Sequence, residues 1–185
     1  MPTPFLDGHK DNEVNLIARQ GQTVAGLGFG RVLRPGETFP EVLYEEQLVL
    51  PTPYQQADQA GGVGFVDAIA VDPAFRGRGL GDSITTRLIQ ELEALGATAI
   101  LSQAWRRPDG VVPMAGIFSR HGMEVLGEVH GIWDEECRAG TMVCPYCGPD
   151  HGCTCSAVIY GRLLHASETR RRRVDDDAPT TARLS

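Results

Sequence analysis

AVDPAFRGRGLGDSITTRLIQEL, residues Ala70 to Leu92, joins two incompatible periodicities. Upstream, GFVDAIAVDP (Gly64–Pro73) reads as a strand that a proline ends. By simple alternation Phe65, Asp67, Ile69 and Val71 share one face, and Val66, Ala68 and Ala70 the other. Both faces are mostly apolar, so the strand is expected to be central and covered on both sides. From Leu80 the spacing becomes helical. Leu80, Ile84, Leu88, Leu92 and Leu95 form one stripe, and Gly96 stops it.

Between strand and helix lies Arg76-Gly77-Arg78-Gly79-Leu80-Gly81. The first N–H groups of a helix have no intrahelical partner, and the helix dipole adds positive potential there. Glycines let the backbone close on phosphate oxygens, so a Gly-rich turn opening a helix is an anion site. The bland alternative is a structural turn with surface arginines. The spacing is not a P-loop, which requires Gly-Lys-Ser/Thr, nor the dinucleotide fingerprint, whose third glycine would fall at Asp82.

Working outward, VNLIARQ and TVAGLGFGRVL read as two strands joined at Arg19–Gln22, and residues up to about 12 as a loose lead-in. Gly26, Gly28 and Gly30 share one strand face, which admits a close neighbour. Residues 35–62 are expected as a long loop with a short strand at LYEEQLVL. ATAILSQAW is a strand, PMAGIFSRHG a short helix, and MEVLGEVHGIW and SAVIYGRLL the last strands. Residues 166–185 carry a run of four arginines (Arg170–Arg173), then three aspartates (Asp175–Asp177), and read as a disordered tail.

The segment AVDPAFRGRGLGDSITTRLIQEL resembles the acetyl-CoA-binding motif of the GNAT superfamily of N-acyltransferases, and the resemblance runs from about Val14 to Leu164. It implies an α+β fold: a central mixed, mostly antiparallel sheet with a splayed strand pair and helices on both faces. It implies a domain over 13–165, with acetyl-CoA as cosubstrate and pantetheine in the splay. By position, Val71 would offer backbone hydrogen bonds to the pantetheine. Arg76, Gly77, Arg78, Gly79, Leu80, Gly81 and Asp82 would cradle the pyrophosphate.

Asp67 is the only ionisable side chain inside the motif strand, and is the candidate base for a direct acetyl transfer to an amine. The family often places a tyrosine in the short helix as the acid for the leaving thiolate. Here that position is Phe118, with Ser119 and His121 as nearby substitutes. The family's two lid helices are not recognisable between the first two strands, so 35–62 is expected to supply the lid.

Four of the five cysteines stand in CPYCGPDHGCTC as Cys144, Cys147, Cys153 and Cys155. CPYC is also a dithiol redox string, but that chemistry wants the first cysteine at a helix N-terminus, and Gly148, Pro149 and Gly152 break any helix. Two pairs across a turn-rich loop suit four thiolates around Zn2+. The zinc would be structural, folding a knuckle over 137–156; redox use, disulfides and unligated thiols are the alternatives. His151 could replace one ligand, and Cys137 is read as a lone thiol.

A formal net charge of -7 argues against a general nucleic-acid binder. No apolar run approaches the ~20 residues of a membrane span, and no secretion signal opens the chain, so the expected location is cytoplasmic. Two readings compete with an N-acetyltransferase. One is a non-catalytic acyl-CoA-binding sensor on the same fold. The other is an interaction module built on the zinc knuckle. The amine acceptor is not identified by any motif.

Overall fold

The computed structural model describes residues 5–43, 45, 48–149 and 152–164, with side chains from residue 11 onward. Seven strands form one mixed sheet in the order β1-β2-β3-β4-β5-β7-β6. They are β1 (Phe5–Lys10), β2 (Glu13–Gln20), β3 (Thr23–Val32), β4 (Val63–Val71), β5 (Ala99–Arg106), β6 (Glu124–His130) and β7 (Ser156–Leu163). The helices are α1 (Phe39–Val42), α2 (Thr52–Gln59), α3 (Leu80–Ala94), α4 (Ala115–Arg120) and α5 (Asp134–Arg138). Only β4 and β5 pair in parallel. This is the expected α+β architecture.

Two apolar layers sandwich the sheet. One joins α3 and α4 to the sheet through Val14, Leu16, Val66, Ile84, Leu88, Leu92, Ile100 and Phe118. The other holds α1 and α2 through Phe39, Leu43, Tyr54, Val63, Phe65, Leu101 and Ile159. The three glycines of β3 explain how closely α3 sits. A Cβ on Gly28 would lie 2.5 Å from Ile84 Cγ2, and one on Gly26 or Gly30 would meet backbone oxygens at 2.8 Å. The row therefore seats a helix and not a ligand.

Three expectations are corrected. Phe5–Lys10 is no loose lead-in: it pairs antiparallel with β2 as the outer strand. Residues 35–62 are not simply a loop, since α1 and α2 fold there. Glu41 accepts hydrogen bonds from the Thr38 N–H and hydroxyl at 2.9 and 2.8 Å, a Thr-x-x-Glu capping pattern. Asp58 then ties the two helices together by accepting the Phe39 N–H at 3.0 Å. Among the described residues of LYEEQLVL none is in a strand.

The third correction concerns the faces of β4. Gly30 pairs with Val66 and Phe29 with Ala68, so Asp67 is an extra residue opposite β3. This β-bulge resets the alternation. Val66 joins Ile69 and Val71 in the α3 layer, while Phe65 lies in the α1/α2 layer. Phe65 therefore does not share a face with Ile69 and Val71. The tail, residues 166–185, lies outside the described residues, as does His151.

Candidate active site and cysteine cluster

β4 and β5 pair only over Val63–Val66 and Ala99–Ser102, yet they continue to Val71 and Arg106. At the fork the Ser102 hydroxyl donates to the Val66 carbonyl at 2.8 Å. Past the fork the strands separate around a cavity of about 730 Å³. Residues 66–71 of β4 line one wall and 102–105 of β5 the other. Met114 at the cap of α4, with Ile117 and Phe118 of the helix, closes one side, and the turn before α3 closes the end.

That turn takes its shape from its glycines. Gly77 and Gly79 have φ of 73° and 78°, values that a side chain disfavours. Gly79 then caps the N-terminus of α3, and no heavy atom beyond its chain neighbours lies within 4 Å of its Cβ position. Gly77, Gly79 and Gly81 line the cavity with Arg76 and Asp82. The Arg76 Nε donates to the Val71 carbonyl at 3.0 Å, pinning the turn to the strand end and occupying that carbonyl. Arg78 is not among the lining residues; its guanidinium lies 5.6 Å above the Phe75 ring. The Leu80 side chain belongs mainly to the core. The Asp82 carboxylate accepts from Arg120 Nε at 2.9 Å, which balances its charge at the cavity rim.

Asp67 lines the same cavity just past the fork. Its side chain is exposed to solvent at the cavity opening. Desolvation pushes its carboxyl above the ordinary 3.8, and the Arg31 charge opposes that rise.

A family model described as the acetyltransferase (GNAT) family matches residues 2–123. The chain belongs to the GNAT acetyltransferase family. The match spans the glycine turn, α3, the forked strands and α4. No curated protein matches the chain. Solved structures share the GNAT fold at low identity. A GNAT-family acetyltransferase from Streptococcus pneumoniae is 13% identical over 84% of this chain and 69% of its own, with TM-score 0.54. A Bacillus subtilis acetyltransferase solved with CoA is 15% identical over 84% and 79%, also with TM-score 0.54. A Salmonella typhimurium protein solved with its cofactor acetyl-CoA is 13% identical over 93% and 71%, with TM-score 0.53.

In α4 the position where a tyrosine was expected holds Phe118. Phe118 is buried against Tyr160, with ring centroids 5.0 Å apart. Neither Ser119 nor His121 lines the cavity. The His121 Nε2 instead lies 3.5 Å from the Asp82 carboxylate. Among the lining residues that the sequence reading did not single out are Gln103, Trp105 and Tyr146. Their signal was faint. Gln103 and Trp105 sit at alternate positions on a strand whose fork only the fold reveals, and Tyr146 comes from a loop distant in sequence.

Tyr146 belongs to the cysteine segment, which lies between α5 and β7 and beyond the GNAT match. The Sγ atoms of Cys144, Cys147, Cys153 and Cys155 all lie within 4.8 Å of one another. Cys155 Sγ is 3.7 Å from those of both Cys144 and Cys147. These separations far exceed a disulfide bond of about 2.05 Å. Cys144 opens a turn bridged to Gly148, not a helix. The Thr154 backbone N–H lowers the Cys147 thiol to about 7, whereas burial raises Cys153 to about 12. Cys137 packs beside the cluster without joining it. The segment is clamped to the fork by rings: Trp105 meets Trp133 at 4.6 Å and Tyr146 at 5.6 Å, both edge-on.

Proposed function

We propose that this chain transfers the acetyl group of acetyl-CoA to an amine, directly and within a ternary complex. The observation that carries the reading is the fork: a strand-wide opening between β4 and β5 that ends on the Gly77–Gly81 turn. Pantetheine fits the opening as an extended chain against the β4 backbone at Ile69–Val71. The N–H groups of Gly77 to Asp82 receive the pyrophosphate at the head of α3. Arg76 adds positive charge there, and Arg78 adds longer-range charge from outside the wall.

Asp67 takes a proton from the amine, directly or through water, as nitrogen attacks the thioester carbon. The C–N bond forms, the C–S bond breaks, and the CoA thiolate takes a proton. With Phe118 at the usual tyrosine position, solvent in the open cavity is the proton source. Residues 35–62, carrying α1 and α2, serve as the lid of the acceptor side.

The four cysteines hold a structural zinc ion. A tetrahedral shell with Zn–S near 2.3 Å separates its sulfurs by about 3.8 Å, close to the 3.7 Å spacings in the cluster. Four thiolates leave no open position for water, so the ion stabilises the knuckle and takes no part in the transfer.

Calorimetric titration of acetyl-CoA into zinc-replete protein tests the reading. One molecule should bind per chain, and Gly79→Glu should abolish binding by setting a carboxylate among the phosphate-facing N–H groups. No binding by folded wild-type protein overturns the proposal. Tight binding with no transfer to any amine in a broad screen would instead support the sensor reading.

A further inference from the structure

Past Ser102, β5 runs on without β4, and β7 holds it from the other side. The pairs are Gln103 with Ile159, Ala104 with Val158, Trp105 with Ala157 and Arg106 with Ser156. β7 begins at Ser156, the residue after Cys155. The cysteine segment is thus built onto the free arm of the fork. β7 does not need a metal to stay there: it also pairs with β6, and Ala157, Val158 and Ile159 are fully buried. The knuckle is different. Among its described residues from 139 to 155, the buried ones are Cys144, Cys153 and Cys155. Unless an ion ties the sulfurs together, little holds its turns.

Tyr146 carries the knuckle into the cavity wall. It stands between Cys144 and Cys147, and it is 41% exposed, so a molecule in the cavity can touch it. The turn around it is set by the thiols. The Gly148 N–H donates to the Cys144 carbonyl at 2.9 Å, and the Cys147 N–H to the Cys144 sulfur at 3.4 Å. The Tyr146 ring stands edge-on to Trp105 at 5.6 Å and lies 5.8 Å from the Arg107 guanidinium. Arg107 is itself fixed by Asp109, which accepts from its Nη2 at 2.6 Å.

We infer that Tyr146 is a wall of the cosubstrate slot whose place is set by the metal, so that zinc loading and acetyl-CoA binding are coupled through it. This rests on the acetyltransferase and structural-zinc readings above. With the four sulfurs tied, the turn over 144–148 holds the ring against Trp105, on the arm opposite β4. With them untied, the ring leaves that arm, while β4, the glycine turn and α3 stay as they are. The pantetheine arm then loses an apolar surface to pack against. Such coupling is reciprocal: the factor by which zinc tightens acetyl-CoA is the factor by which acetyl-CoA tightens zinc. The ion acts on the donor's affinity from outside the reacting atoms.

The full chain is titrated with zinc against a chromophoric chelator, alone and with saturating CoA; no acceptor is present. CoA should tighten zinc by about 5-fold or more, the lower end of the usual range for coupled sites. Tyr146→Ala should still bind one zinc ion, but its loaded form should bind CoA more weakly by a similar factor, and CoA should no longer alter its zinc affinity. Tyr146→Phe, which keeps the ring, should behave as the wild type. A wild-type zinc affinity indifferent to CoA overturns the inference. So does a CoA effect that survives intact in Tyr146→Ala, because zinc and CoA would then communicate through overall folding alone. A chain that binds no zinc defeats the zinc reading, and a zinc-loaded chain that binds no CoA defeats the acetyltransferase reading. Both results differ from two ligands that bind without mutual effect, which sinks the coupling alone.

Discussion

Val66 and Ile69 stand three positions apart on β4, yet both pack into the layer beneath α3. A regular strand would put them on opposite faces. The bulge at Asp67 reconciles them, and it does so at the fork, where β4 loses its β5 partner. The irregular residue is therefore the one that carries a carboxyl into the cavity.

Asp67→Asn should lower kcat by about 10²–10⁴-fold if the carboxylate takes the amine proton. The pH profile gives a sharper criterion. Desolvation raises the Asp67 pKa above 3.8, so the wild-type rate should climb as pH rises through that raised value. The limb should vanish in Asp67→Asn. Stability moves the other way: the folded state holds the proton more tightly than the unfolded chain does. Its contribution therefore declines as pH rises from 3.8 through the raised pKa. A rate profile unchanged in shape by the substitution would reject Asp67 as base.

Replacing Cys144 and Cys147 together by serine should abolish stoichiometric zinc, read by elemental analysis. The knuckle has few apolar residues beyond its cysteines, so a bound ion would supply much of its folding free energy. We expect a loss of at least ~3 kcal/mol, or roughly 6–12 °C in Tm for a chain of this size. Chelation of the wild type should reproduce the effect. Wild-type stability in the double variant would defeat the structural-zinc proposal.

Gly28→Val should destabilise by about 1–3 kcal/mol or more, because the new Cβ meets Ile84 and Leu88 at 2.5 and 3.0 Å. Gly127→Ala is the contrast: its Cβ would meet only a Leu48 methyl at 3.9 Å. Urea melts of the two variants should differ clearly. Equal stabilities would mean that α3 does not rest on the β3 glycines.

The strand-turn-helix segment from Gly64 to Gly96 was legible because periodicity, proline and glycine all agree there. The cysteine spacing was legible for a similar reason, since few chemistries need four thiols so close. What alternation alone missed was the bulge, because an extra residue leaves no mark in a strand apolar on both faces. Phe5–Lys10 was missed because an outer strand needs few apolar residues, and FLDGHK carries little pattern. α1 and α2 are short and depend on tertiary ties such as Asp58 to Phe39, which composition does not reveal. Gln103, Trp105 and Tyr146 converge only once the fork and the knuckle are both in place.

The fork has one further consequence, for solubility. A sheet normally has two edges, and proteins blunt them because unpaired N–H and C=O groups recruit foreign strands. Here the separation after Val66 and Ser102 creates two more edges inside the sheet, along Asp67–Val71 and Gln103–Arg106. In the proposed binding mode, a cosubstrate arm with its own amide groups would plug that slot. The chain stored without CoA should therefore self-associate faster than the loaded chain.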